Sequence, residues 1–148
     1  MRLWHYKLLP YLPNKQFKGQ LRELVAIMHT WRNKGNTNHL LINRVMNYEK
    51  GELTFYYMLY EQEYFRRYSK WPKLELKKEF MEFCDYLPIC GKYQSVFNEW
   101  HDKYYLRICM ANLYEKWCYA QGKQKITDME WLVVLEGYKN ITGEDYYV

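Results

Sequence analysis

Apolar residues return every three or four positions along most of this chain, and that spacing admits amphipathic helices and little else. Phe17, Leu21, Leu24, Ile27 or Met28, and Trp31 form one such stripe, with Asn14 placed to cap its start and Gly35-Asn36 to end it. A second helix is expected from Thr37 to about Tyr48, carrying Leu40, Leu41, Val45 and Met46, and a third from Leu53 to Ser69. Pro72 opens a fourth with Leu74, Phe80 and Phe83 inward, and the longest is expected from Tyr93 to Gln121. Thr127-Asp128-Met129-Glu130 has the spacing of a capping box ahead of the apolar run Trp131–Leu135. No segment alternates as a half-buried strand does. The expectation is an all-α protein: a single compact domain of about six helices over residues 1–148, with 49% apolar residues to build its core.

Charge and composition narrow the function classes. Twenty-two Lys and Arg against 17 Asp and Glu give a net charge of +5, which permits a polyanionic partner without demanding one. Seventeen Tyr, six Trp and six Phe are more rings than a chain of 148 residues usually carries. Rings fill cores, but they also stack on unpaired bases or wedge into a duplex. Trp100, Tyr104, Tyr105, Trp117 and Trp131 read first as core or interface. No run approaches the ~20 apolar residues of a membrane span, and no leader pattern follows Met1, so a cytoplasmic monomer is expected. Cys84, Cys90, Cys109 and Cys118 form no C-x-x-C pair and no finger spacing with His, so buried, reduced thiols are expected and no metal or cofactor.

Two local sequences go beyond periodicity. One is Gly19-Gln20-Leu21-Arg22-Glu23-Leu24; the other is Gly51-Glu52-Leu53-Thr54-Phe55-Tyr56-Tyr57, running on to Glu63-Tyr64-Phe65-Arg66-Arg67. Taken alone, the first is a solvated charged pair and the second an aromatic core helix with a basic end. In this order and spacing, the two together resemble the pyrimidine-dimer DNA glycosylase family of the phage endonuclease V type. The opening Met1-Arg2-Leu3-Trp4-His5, with Leu9-Pro10 and Leu12-Pro13 ahead of Gly19-Gln20, is similar to a bacterial branch of that superfamily. The resemblance covers roughly residues 1–68.

The resemblance implies a glycosylase and abasic-site lyase that acts on damaged double-stranded DNA with the α-amine of Met1 as nucleophile. An α-amine titrates near 7.7–8.0, against about 10.4 for lysine, so a useful fraction is uncharged near neutral pH. Cations at Arg2 and Arg22 would disfavour its ammonium form further. Glu23 maps onto the family's catalytic carboxylate, Arg22 onto a phosphate-binding arginine and Arg2 onto an arginine beside the nucleophile. The chain departs from the family at Ala26, where a basic residue is usual, and at Gln16, where a histidine is usual; His29 or His39 is then the candidate replacement. Lys15, Lys18, Arg32, Lys34, His39 and Arg44 are the further DNA-binding candidates. Trp4, Trp31 or one of the Tyr residues is the candidate to fill the gap left by an extruded nucleotide. Two other function classes fit the same composition: a DNA-binding domain without catalysis, and a helical protein-interaction domain.

Overall fold

The first long stripe becomes the helix it predicts. The computed structural model describes residues 2–35 and 37–148. Helix α1 spans Asn14–Lys34, about 30 Å at 1.5 Å per residue. Asn14 is its first residue rather than its cap: the Pro13 carbonyl accepts the Phe17 N–H at 2.9 Å. Phe17, Leu24, Ile27 and Met28 are buried, with Gln16 and Gln20 beside them. Among the described residues every regular element is helical, so the all-α reading holds.

The later helices are α2 (Leu40–Val45), α3 (Lys50–Tyr68), α4 (Leu74–Phe83), α5 (Lys103–Cys118) and α6 (Asp128–Thr142), with 3-10 turns at Tyr6–Tyr11 and Gly122–Gln124. The chain divides into two compact units. One comprises the start of the chain to Leu3 with Leu21–Asn98; the other comprises Trp4–Gln20 with Glu99–Val148.

In the first unit, α2 is half the expected length. The Thr37 hydroxyl accepts the His39 N–H rather than capping a helix. Leu40 is 86% exposed, so nothing apolar anchors that end. After Val45 the chain tightens into three-residue turns through Asn47 and Tyr48. Helix α3 starts earlier than expected, and Gly51 lies inside it. A Cβ at Gly51 would stand 2.6 Å from the Tyr93 hydroxyl, so this glycine marks a close approach, not a break. The core here is aromatic: Tyr57 stacks on Phe80 with centroids 4.3 Å apart, and Phe83 meets the edge of Trp31 at 5.1 Å. The Thr54 hydroxyl bonds the Phe80 carbonyl and ties α3 to α4. Leu74 points outward, at 61% exposure, because it begins α4 ahead of the buried Phe80 and Phe83.

The expected helix from Tyr93 to Gln121 is not formed as such. Phe97 and Glu99 lie in the left-handed region, which breaks a right-handed helix. Phe97 is held there by its N–H bond to Glu52 at 3.0 Å and by burial against Tyr48 and Tyr56. Helix α5 begins only at Lys103, where the Asp102 carboxylate caps it by accepting the Tyr105 N–H. The longest helix is therefore α1.

In the second unit α5 and α6 pack through Trp117 and Trp131, stacked at 5.4 Å, and through the bond from Arg107 to the Tyr138 hydroxyl. Of the rings read as core or interface, Trp100 and Trp131 are buried and Tyr104 is 74% exposed. The capping box forms as read: Thr127 Oγ1 accepts the Glu130 N–H, and Glu130 accepts the Thr127 N–H. The 3-10 turn Tyr6–Tyr11 lies against α6 at Gly137, where a Cβ would come 2.3 Å from Tyr11 Cγ. Gly137→Ala should therefore destabilise the fold by about 2–3 kcal/mol through overpacking. Urea titration would register this as a lower midpoint at unchanged slope. Cys84 and Cys109 are buried as expected, but Cys90 is exposed and Cys118 half-buried; none is bonded to another.

Candidate active site

The segment that follows the chain start is fixed by burial and by one hydrogen bond. Leu3 and Trp4 are almost wholly buried, and the Trp4 N–H donates to Gln20 Oε1 at 2.7 Å in a dry environment. Gln20 is a polar residue on the buried face of α1, and this bond supplies a partner for its carbonyl oxygen. Trp4 is thus a core residue, not a ring available to enter DNA. Trp31, half-buried against Phe83, is likewise committed to packing.

One turn beyond Gln20 on α1 stand Arg22, exposed, and Glu23, half-buried. Ala26 and Thr30, at i+3 and i+7 from Glu23, are half-buried and share its side of the helix with the buried Ile27. Arg2 is half-buried and belongs to the same compact unit as Arg22 and Glu23. Met1, the expected nucleophile, lies outside the described residues.

The remaining DNA-binding candidates are divided. Arg32, Lys34, His39 and Arg44 are exposed in the unit that holds Glu23, whereas Lys15 and Lys18 are exposed in the other. Arg32 lies 3.6 Å from Glu79, which also takes a 2.7 Å bond with His29. His29 is thus engaged with α4, and His39 stands exposed ahead of α2. Gln16, at the family's histidine position, is buried and donates to the Gln124 carbonyl.

Two further histidines, His5 and His101, escape a reading by periodicity, since a lone histidine carries no periodic signal. Both are buried, and His5 Nε2 lies 2.9 Å from the His101 carbonyl while the Lys7 N–H donates to His5 Nδ1. This pattern makes Nε2 the protonated nitrogen of a neutral ring. Burial lowers the His5 pKa from 6.5 to about 4, opposed by the bond to His101; Lys7 lowers it further and Asp102 raises it. The folded state therefore resists a proton that the unfolded chain accepts. Stability is full above pH 6.5, falls as pH drops toward about 4, and then levels, by roughly 3 kcal/mol at most. Denaturation at pH 7.5 and 4.5 should show this fall, and His5→Gln should remove that component at some expense of stability at pH 7.5. Equal pH slopes for the two proteins would contradict the assignment.

No metal-binding group of three or more His, Cys, Asp or Glu occurs among the described residues, and no helix there is long and apolar enough to cross a membrane. No curated protein and no solved structure matches the chain. The family model described as pyrimidine dimer DNA glycosylase matches residues 1–76, slightly more than half of the 148. The match takes in the anchored N-terminal segment, the whole of α1 with Arg22 and Glu23, and all of α3. This chain belongs to the pyrimidine dimer DNA glycosylase family.

Proposed function

We propose that the protein excises damaged pyrimidines from duplex DNA and then cuts the abasic strand, with the α-amine of Met1 as nucleophile and Glu23 as the catalytic carboxylate. The observation that carries this reading is the buried bond between Trp4 and Gln20. Three residues of extended chain span at most about 11 Å. Glu23 lies only three residues, about 4.5 Å of helix rise, beyond Gln20. These lengths are compatible with a free amine at the head of the segment acting beside the Glu23 carboxylate, and the reading requires that amine to be unblocked.

In the proposed reaction the neutral amine attacks the sugar C1′ and the glycosidic bond breaks, the departing base taking its electron pair. Glu23 stabilises the positive charge that develops on the sugar and then relays a proton as the ring oxygen leaves C1′. The product is an iminium between the amine and C1′. It draws electrons from the neighbouring C–H bond, so the C2′ proton is lost and the 3′ phosphate departs by β-elimination. Water then frees the amine. Arg22, exposed beside Glu23, provides a planar guanidinium for a phosphate near the lesion, and Arg2, Arg32, Lys34 and Arg44 add positive charge to the same unit; His39 is assigned as a further DNA contact there, and Lys15 and Lys18 to flanking phosphates. No cofactor enters this scheme.

The test is incubation of the protein, begun at Met1, with ultraviolet-irradiated and with abasic duplex DNA in borohydride. Reduction of the iminium should leave a stable protein–DNA adduct on both substrates. Strand cleavage without any adduct would rule out the amine; absence of both would remove the enzymatic reading.

A further inference from the structure

Basic residues crowd the connection between α3 and α4. Residues 64–78 hold six Lys and Arg against one carboxylate, a balance of +5, which equals the net charge of the whole chain. The stretch contains the end of α3, the connection to α4 and the first turn of α4, all in one compact unit. The rest of the chain is, in sum, neutral.

The local structure sorts these charges. Glu63 takes up Arg66 and Arg67 at 2.5 and 2.8 Å, and Lys77 reaches Glu61 at 3.4 Å. Among the described residues neither Lys70 nor Lys73 has a carboxylate within ion-pair distance, and both are exposed. Between them sits Trp71. Ser69 ends α3 in the left-handed conformation, its N–H bonded to the Phe65 carbonyl, and this turns the chain back along the helix. Trp71 then stacks on Phe65, centroids 4.5 Å apart and rings 23° from parallel. The pair stays open to solvent: Phe65 is 42% exposed and Trp71 57%. Exposed rings that stack on each other present a further flat face, and exposed Lys70 and Lys73 flank Trp71 along the chain.

We propose that Phe65 and Trp71 form a stacking platform for an unpaired nucleobase, with Lys70 and Lys73 holding the phosphates on either side. Rings and cations in alternation bind single-stranded nucleic acid, because every base has a face to stack and every linkage a negative charge. A paired base offers no free face, so the platform takes DNA that is single-stranded or locally opened. The site is distinct from Glu23, and it rests on the DNA-acting reading only for the identity of the polyanion.

The experiment is fluorescence anisotropy with a labelled oligothymidylate of about 12 nucleotides and with matched duplex. Trp71→Ala should weaken oligothymidylate binding about tenfold and leave duplex affinity within about twofold; Trp71→Phe should retain most of the binding. The double variant Lys70→Ala/Lys73→Ala should lower the slope of log affinity against log salt by about 1.4, or about 0.7 for each phosphate no longer neutralised. Single-strand binding unaffected by these variants, equal loss on both DNAs, or Trp71-dependent binding to anionic phospholipid vesicles in place of DNA would overturn the proposal. Glu23→Gln separates the two readings. If it loses base excision and still binds oligothymidylate through Trp71, both stand. Trapping that survives while oligothymidylate binding ignores Trp71 removes only the platform, and Trp71-dependent binding without any trapping removes only the enzyme.

Discussion

Glu23→Gln is expected to lower base excision by about 10²- to 10⁴-fold, the range that a positioned acid–base group contributes. Glutamine keeps the length and shape of the side chain and removes only the charge and the exchangeable proton. Glu23 is half-buried near the middle of α1, and nothing about that position demands a carboxylate for folding. The substitution should therefore leave thermal stability almost unchanged, within about 0.5 kcal/mol. Single-turnover release of the damaged base, measured beside DNA affinity, separates the possibilities: affinity should hold while the chemical step fails. A loss of affinity in proportion to the loss of rate would instead make Glu23 a binding or folding residue.

Acetylation of the α-amine should have the larger effect, because it removes the nucleophile altogether. An acetylated terminus has no lone pair to attack C1′, so both excision and strand cleavage should drop to background. An added residue is a milder change. It supplies a new amine but moves it by about 3.5 Å, more than a reacting geometry tolerates. The order of activity should be native terminus, extended terminus, acetylated terminus. Equal activity from all three, measured on abasic duplex, would place the nucleophile elsewhere.

Both expectations arise from residues near one another in sequence, and proximity also sets how far the sequence is legible. Helix α1, the adjacent Arg22 and Glu23 on it, the capping box at Thr127–Glu130 and the buried Phe80 and Phe83 are all local patterns, fixed by spacing within a few turns. Features that depend on distant segments meeting are not legible in this way. The helix expected from Tyr93 is interrupted because Phe97 is held by Glu52, 45 positions away. Gly51 and Gly137 each mark a close approach of another segment, Tyr93 in one case and Tyr11 in the other, that no local pattern announces. The Trp4–Gln20 bond, which ties the chain start to α1, joins an amide and a side chain that no periodicity links. The platform is half legible. The basic end of α3 is plain in the sequence, but only the left-handed turn at Ser69 shows that Trp71 folds back onto Phe65.

The whole mechanism turns on whether the reacting nitrogen belongs to the first residue. Digestion of the borohydride-reduced adduct, followed by mass spectrometry of the DNA-bearing peptide, answers that question. The deoxyribose remnant is expected on the N-terminal peptide, attached at the Met1 nitrogen. A remnant on the side chain of Lys15, Lys18 or any other lysine would contradict the mechanism.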